Sequence, residues 1–263
     1  MDVYTDILMF WKKKNISSSG ELSAAMSGKI VSLAYHSGKI ENDSVTYHDT
    51  REIFDHDGIT NYTGDLRTLF EIKNAKDAFA FLLEAFDKDL PMNRELLCRL
   101  QEELTKNTYD NRRWSIGERP GTFKKHDYVT GREEVGALPE DVPEEIDELL
   151  EELKNFSGSD VLTAGAYFHA KLENIHPFAD GNGRTGRLAM NYFLLQNGHP
   201  PIIIHEENRK SYFLALESWD TEQNLSPLKD FLKEQTIKTW KKNLDRRTSS
   251  EKKITNPLPN IRK

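Results

Sequence analysis

One short stretch carries most of the chemistry that this sequence can perform. Residues 176–187 read HPFADGNGRTGR. His176 is the side-chain type that exchanges protons near neutral pH, and Asp180 supplies the hard oxygen that Mg²⁺ prefers. Gly181 and Gly183 lack a Cβ, so the backbone N–H groups there can approach an anion closely. The stretch therefore combines a base, a metal ligand and an anion cradle.

The residues after these glycines predict a helix. Residues 184–197 are rich in helix formers and are followed by Gly198-His-Pro-Pro, a stop signal. The glycines thus lie at a helix N-terminus, where free N–H groups and the helix dipole favour phosphate. Two arginines three positions apart in the first turn indicate a polyphosphate. We therefore predict nucleotidyl transfer, with these nucleotide-binding residues: Gly181, Asn182, Gly183, Arg184, Thr185, Gly186 and Arg187.

Amphipathic and apolar segments on both sides predict a helical scaffold. The segment ending at Ile175 has apolar residues at helical spacing and would deliver His176 at its C-terminal end. The segment after Arg187 is apolar nearly all round, so we expect a central, buried helix. Residues 107–137 instead mix aromatic and β-branched residues with glycine and proline, which predicts a short hairpin. The expected fold class is all-α with a small β-hairpin.

Composition limits the classes of protein. The 263 residues carry 36 basic and 43 acidic side chains, a net charge of −7, which argues against general nucleic-acid binding. The single cysteine, Cys98, excludes an intrachain disulfide and fits a reducing compartment. No segment approaches the roughly 20 apolar residues of a membrane span, and the first residues lack a signal-peptide run. We expect a cytoplasmic protein that binds neither nucleic acid nor membrane.

The signature stretch also resembles a known family. Residues 176–187 match every specified position of H-x-F-x-[DE]-G-N-G-R-x-x-R, the pattern of Fic-domain proteins. The resemblance extends over roughly residues 30–235. It implies transfer of AMP from ATP to a Ser, Thr or Tyr hydroxyl of a protein target, and it is compatible with self-modification and with a homo-oligomer. In that reaction His176 takes the hydroxyl proton, Asp180 holds Mg²⁺, Asn182 and the loop amides stabilise the α-phosphate, and Arg184 and Arg187 bind the outer phosphates.

A carboxylate continues the apolar stripe of an earlier helix. Glu41 occupies a position where a buried side chain is expected, so it either meets a cation or ends the helix in solvent. The stretch from Ser37 to Asn42 resembles the [ST]-x-x-x-E-[GN] inhibitory motif of Fic proteins in the class II arrangement. The resemblance implies that Glu41 pairs with Arg187 and blocks the γ-phosphate, and that Ser37 and Asn42 are regulatory.

Two further assignments rest on the resemblance. Residues 121–129 look like the family flap, which holds the target by strand addition, with Tyr128 and Val129 as target-binding residues. Tyr212 and Phe213 resemble the helix that lines the nucleotide site. The predicted organisation is an N-terminal arm or helix (1–29), a helical region with the inhibitory helix at about 30–42 (30–106), a Fic core (107–240) and a disordered tail (241–263).

Several alternatives stay open at this point. Transfer of UMP, phosphate or phosphocholine, and removal of AMP from a modified target, are compatible with the same signature. A non-catalytic nucleotide-binding or peptide-binding module belongs to another class, against which the intact His176 and Asp180 argue. The P-loop motif GxxxxGK[ST] and the hydrolase nucleophile elbow are both absent from the sequence.

Overall fold

The computed structural model describes residues 2–128, 136–158 and 160–255, with side chains described up to residue 247. This part of the chain forms twelve α-helices and contains no β-strand, which confirms the all-α prediction. In chain order the helices are α1 (Val3–Lys12), α2 (Ser19–Ala25), α3 (Ile30–Glu41), α4 (Tyr47–His56), α5 (Leu66–Asp87), α6 (Arg94–Thr105), α7 (Asn111–Ser115), α8 (Val142–Lys154), α9 (Val161–Ile175), α10 (Asn182–Gln196), α11 (Arg209–Glu222) and α12 (Ser226–Thr255).

The predicted central helix is α10. It packs against α9, α6, α3 and α5, and nearly every one of its residues is buried. Because it is covered on all sides, its apolar residues need no amphipathic pattern. The helix begins after Gly181, so the signature loop enters the molecule at the N-terminus of its most buried element.

The helix before the signature loop has a well-defined start and end. The Asp160 side chain caps α9 by accepting a hydrogen bond from the Thr163 N–H (3.1 Å). At the other end, His176 takes a left-handed conformation with φ of 51°. Its N–H still donates to the Leu172 carbonyl (3.0 Å). The chain therefore turns sharply at His176, directly after the last helical residue.

The predicted inhibitory helix corresponds to α3. It packs against α4, α5 and α10, and its end is fastened to α5 by Asn42. The Asn42 Nδ2 donates to Oγ1 of Thr68 (2.9 Å) and to Oε2 of Glu71 (2.7 Å). Gly38 lies against Val45, where an added Cβ would be 3.4 Å from Cγ1. The weak helix former in α3 is thus supported by packing.

Both ends of the described chain are helical. Residues of α1 are buried, and Trp11 packs against Trp240 of α12 with ring centroids 4.9 Å apart. The last helix continues to Thr255, which corrects the predicted start of a disordered tail at residue 241. The tail was predicted from a polar segment with two prolines, but several of its polar residues are also good helix formers. The prediction for residues 256–263 lies outside the described residues.

The predicted hairpin has no strand in the described residues 107–128. Backbone groups there bond to helices and loops instead of to an opposing strand: the Gly121 N–H donates to Oε1 of Gln101 (2.6 Å). Residues 129–135 lie outside the described part, so the hairpin itself stays a prediction. Among the described helices none is both long and apolar enough to cross a membrane.

Candidate active site

The imidazole of His176 is held in a closely packed place. A Cβ added to Gly136 would lie 2.8 Å from the His176 Cβ, so the chain after the flap passes directly beside it. Burial, followed by the charge of Lys124, lowers the pKa of His176 to about 4. The imidazole is therefore neutral at neutral pH, the form that accepts a proton.

Two backbone hydrogen bonds attach the flap segment on either side of His176. The Lys124 N–H donates to the Pro177 carbonyl (2.8 Å), and the Ala137 N–H donates to the Ile175 carbonyl (3.0 Å). Residues 124 and 137 therefore both lie beside the predicted base. This is the position from which a flap would present a target to it.

The two residues predicted to bind a target lie in this segment. Tyr128 is half-buried, and its hydroxyl donates to Oε1 of Glu118 (3.0 Å). The same fully buried carboxylate oxygen accepts from the Lys125 N–H (3.0 Å) and lies 3.0 Å from the His126 Nδ1. Tyr128 thus helps to order the segment, while Val129 lies outside the described residues.

The signature loop is closed by the side chain of Asn182. Its Oδ1 accepts from the Phe178 N–H (2.9 Å), and its Nδ2 donates to the Phe178 carbonyl (2.7 Å). Phe178 is itself fully buried and lies against Phe123, with ring centroids 5.6 Å apart. The Asn182 side chain therefore shapes the loop, and its predicted contact with a phosphate is left to its backbone N–H.

Two glycines of the loop stand where a side chain would collide. Gly181 has a φ of 82°, and its Cβ would lie 2.5 Å from Cγ2 of Thr105. A Cβ on Gly183 would lie 2.3 Å from Oε1 of Glu41. The Glu41 carboxylate thus rests against the start of α10, where we predicted that a phosphate binds.

The second signature arginine is held by α3, the predicted inhibitory helix. The Arg187 Nη1 lies 2.8 Å from Oε1 of Glu41. Its Nε donates to the Ser37 Oγ (3.0 Å), and its Nη2 donates to the Ser37 carbonyl (2.9 Å). The pairing expected from the inhibitory motif is present, and Ser37 supplies two of its contacts. Arg187 is only 4% exposed, whereas the Glu41 side chain is 36% exposed.

The first signature arginine is buried but weakly partnered. Arg184 Nη1 is 3.5 Å from Oε1 of Glu71, and its Nη2 is 3.4 Å from Oδ1 of Asp180. Within the described residues, its Nε and Nη1 have no hydrogen-bond partner. A buried guanidinium with open donors is unfavourable, and phosphate oxygens would satisfy it. Next to it, Thr185 is fully buried, and its N–H donates to the Gly181 carbonyl (2.9 Å).

Asp180 fits a metal ion that a nucleotide carries. The described residues contain no group of three or more acidic, histidine or cysteine side chains that could hold a metal by themselves. Mg²⁺ commonly uses one or two carboxylates and completes its octahedron with phosphates and water, so one aspartate beside Arg184 suits it. Oδ2 of Asp180 now pairs with Nη2 of Arg67 at 2.6 Å.

Tyr212 lies behind Arg187 instead of lining an open surface. It is fully buried, its hydroxyl is 2.7 Å from Nε2 of His169, and the Arg187 guanidinium carbon lies 5.9 Å from its ring centroid. The contact of Tyr212 with the nucleotide therefore stays a prediction, because this packing also accounts for the aromatic residue that the sequence shows. Phe213 is 42% exposed and lies against Arg209, at 5.7 Å, so it remains a candidate.

A half-buried acid and a fully buried histidine lie behind the site. Glu173 Oε1 is 3.9 Å from Nδ1 of His169, and a Cβ on Gly186 would come within 2.8 Å of that oxygen. Burial raises the pKa of Glu173 to about 8 and lowers the pKa of His169 to about 3. The glycine at position 186 is thus required by packing, and its predicted contact with a nucleotide stays a prediction.

Sequence reasoning missed three residues that hold the site together. Gln101 is fully buried; its Nε2 donates to the Asp180 carbonyl (2.9 Å) and to the Tyr109 hydroxyl (3.0 Å), while its Oε1 accepts from Gly121. It therefore ties the signature loop to the start of the flap. Arg67 and Glu71 on α5 were missed as well. No local signal marks them, since each lies about a hundred residues before its partner in the signature.

Comparisons with known proteins match the part of the chain that contains the signature. Residues 91–194 match the Fic/DOC family model. The chain is 29% identical over 235 residues to the protein adenylyltransferase Fic of Drosophila persimilis, covering 84% of this chain and 42% of that protein. The chain is also 38% identical over 94 residues to the protein adenylyltransferase Fic of Aedes aegypti, and the match covers 36% of this chain and 18% of that protein. The chain therefore spans less than half the length of these curated relatives.

Solved structures share the fold. A Fic-domain-containing signaling protein from Bacteroides thetaiotaomicron superposes with a TM-score of 0.76 at 22% identity, covering 92% of this chain and 96% of that one. Fic-1 from C. elegans gives a TM-score of 0.75 at 21% identity, covering 94% and 74%. These matches show that the chain shares the fold of Fic-domain structures, and the complete signature lies within the residues that match the Fic/DOC family model.

Proposed function

We propose that the protein is an adenylyltransferase that moves AMP from ATP to a Ser, Thr or Tyr hydroxyl of a protein. The observation that carries this proposal is the placement of a neutral His176 beside a helix N-terminus that is flanked by two buried arginines. The relatives named as protein adenylyltransferases support the choice of AMP. Their greater length leaves the target and the partners of the whole protein as proposals.

The residues of this chain can perform three tasks that the reaction needs. His176 takes the proton as the target oxygen attacks the α-phosphorus. The new O–P bond forms while the bond to the β-phosphate oxygen breaks, so pyrophosphate leaves. Backbone N–H groups at the start of α10 stabilise the α-phosphate, and Arg184 binds the outer phosphates. Catalysis is then mostly positioning and electrostatic stabilisation.

Asp180 would hold Mg²⁺, whose charge would neutralise the phosphate oxygens during transfer. The residue is suited to this because it stands at the start of α10 beside Arg184, 3.4 Å away. Its backbone carbonyl is fixed by Gln101 (2.9 Å), so the loop that carries the carboxylate is held in place. We expect Asp180→Ala to remove activity and chelation to abolish it in the unchanged protein.

Glu41 is proposed to inhibit the enzyme. Because it pairs with Arg187 at 2.8 Å, Arg187 cannot offer the same donor to a γ-phosphate. The half-exposed carboxylate could also activate a water for removal of AMP from a modified target, which makes that reverse reaction the second candidate. A release of AMP that depends on Glu41 would identify it.

The remaining parts of the proposal concern the setting. The flap would hold the target segment, and a hydroxyl on the protein itself could serve as target. Burial raises the pKa of the Cys98 thiol to about 11, so this cysteine is unreactive, in keeping with a reducing cytoplasm. A homo-oligomer is compatible with this function.

Radiolabelled ATP tests the reaction. Incubation of Glu41→Gly protein with ATP labelled at the α-phosphate should give covalently labelled protein, and label at the γ-phosphate should give none. His176→Ala should abolish the labelling. Label from the γ-position would indicate phosphotransfer instead, and a modification that forms only when UTP or CDP-choline replaces ATP would identify UMP or phosphocholine transfer. A protein that binds nucleotide without any modification would be a non-catalytic module.

A further inference from the structure

Both oxygens of the Asp180 carboxylate face a guanidinium. Oδ2 lies 2.6 Å from Nη2 of Arg67, and Oδ1 lies 3.4 Å from Nη2 of Arg184. A divalent ion on this carboxylate would stand a few ångströms from both positive groups. Like charges so close repel, so one of the two must withdraw before a metal binds.

The two arginines differ in their freedom to withdraw. The Arg184 side chain is 7% exposed and belongs to the central helix, whereas the Arg67 side chain is 44% exposed and stands near the start of α5. Arg67 can turn into solvent without leaving a buried charge, because its head is already half hydrated. Arg67 is therefore the group that yields.

A second contact keeps Arg67 close to the site after it releases Asp180. Its Nε donates to Oε1 of Glu71 at 3.1 Å, one turn along α5. Oε2 of that carboxylate accepts from Asn42 (2.7 Å), at the end of the inhibitory helix. Arg67 would lose one ion pair on release but keep the other, so the exchange with a metal costs little.

We propose that Arg67 covers the metal-binding carboxylate of Asp180 in the ligand-free enzyme and sets its affinity for the divalent ion. Arg67 is thus a positioning residue that acts through Asp180. This inference rests on the proposed function, since it takes Asp180 to be the metal ligand. The enzyme would then have two restraints: Glu41 blocks a phosphate contact, and Arg67 occupies the metal ligand Asp180.

Metal binding without turnover tests the proposal. Mn²⁺ is titrated into His176→Ala protein that is saturated with α,β-methylene ATP, and its binding is measured by electron paramagnetic resonance. The titration is repeated with the double variant that also carries Arg67→Gln. We expect Arg67→Gln to tighten Mn²⁺ binding on the order of fivefold, the effect of removing one nearby unit charge in a wet site. Arg51→Gln is the matched control. Like Arg67, Arg51 forms an ion pair with an aspartate, in its case Asp55 on its own helix (3.2 Å), and it is exposed. It should leave the affinity unchanged.

A second pair of proteins separates a direct contact from a general charge effect. In an Asp180→Asn background, Arg67→Gln should no longer change Mn²⁺ affinity. Equal or weaker binding in the first comparison, or an equal gain without Asp180, would overturn the proposal while α-label incorporation still supports the transferase. If the protein with Arg67 intact binds no Mn²⁺–nucleotide and takes up no α-label, both proposals fall together.

Discussion

At the scale of single residues, the protonation state of His176 is decisive. Burial and the nearby Lys124 charge lower its pKa to about 4, so the neutral form persists as the pH falls through the ordinary histidine range. We expect the His176 ring signal in histidine-labelled protein to keep its neutral chemical shift from pH 7.5 to 5.5. The missing peak in His176→Ala protein assigns it. A midpoint near 6.5 would contradict the burial argument.

The same scale shows what the sequence could and could not predict. Residue types within the signature predicted a base, a phosphate cradle and two arginines, because those tasks depend on neighbours along one turn. The pairing of Glu41 with Arg187 was predictable from the motif resemblance and is present at 2.8 Å. Arg67 and Gln101 were not, because their contacts with Asp180 span 113 and 79 residues and leave no local pattern.

At the scale of elements, α3 is the proposed inhibitor. Glu41→Gly frees Arg187, so a nucleotide can bind with its α-phosphate aligned. Misplacement of about 1 Å can cost on the order of 10²-fold in rate, and we expect the initial rate of AMP transfer to rise by up to that factor. Arg187→Ala should lower the rate even in the Glu41→Gly background, because the γ-phosphate loses its contact.

The control for this prediction is Asp43→Gly, which removes an exposed carboxylate two residues further on. Asp43 is paired with Arg209 at 3.5 Å and not with the signature arginine, so its loss should leave the rate unchanged. If Glu41→Gly does not raise the rate while His176→Ala abolishes it, the transferase assignment stands and α3 is not an inhibitor.

Elements also mark the limit of pattern reading. Helix α9 was predicted because its apolar residues recur at helical spacing, which is a local feature of the sequence. The extension of α12 to Thr255 was missed, since charged helix formers look the same in a tail and in a solvated helix. The irregular backbone at residues 120–128 follows from tertiary contacts, such as that of Gly121 with Gln101, which no local sequence pattern reveals.

At the scale of the whole molecule, buried and half-buried histidines link stability to pH. Burial lowers the pKa of four of them to between about 3 and about 4: His36, His169, His176 and His199. Each is neutral when folded but binds a proton when unfolded below pH 6.5. Their contribution to stability is therefore complete above pH 6.5 and is lost as the pH falls. Glu173 acts in the opposite direction, since its pKa is raised to about 8 and the folded state holds its proton.

The sum of these groups fixes the sign of the prediction. Between about pH 6 and 5 these four histidines bind up to four protons in the unfolded chain, whereas in the folded chain only Glu173 of the five groups holds a proton, a difference of at most three. A proton shared between His169 and Glu173, whose atoms are 3.9 Å apart, would not alter this count. Three protons correspond to an upper limit of about 4 kcal/mol of unfolding free energy per pH unit.

Urea unfolding followed by circular dichroism at pH 7, 6 and 5 should show this loss. His199→Gln, placed away from the signature loop, should reduce the slope by about 1.4 kcal/mol per pH unit; a flat profile from pH 6.5 to 5 would contradict the assigned neutral histidines.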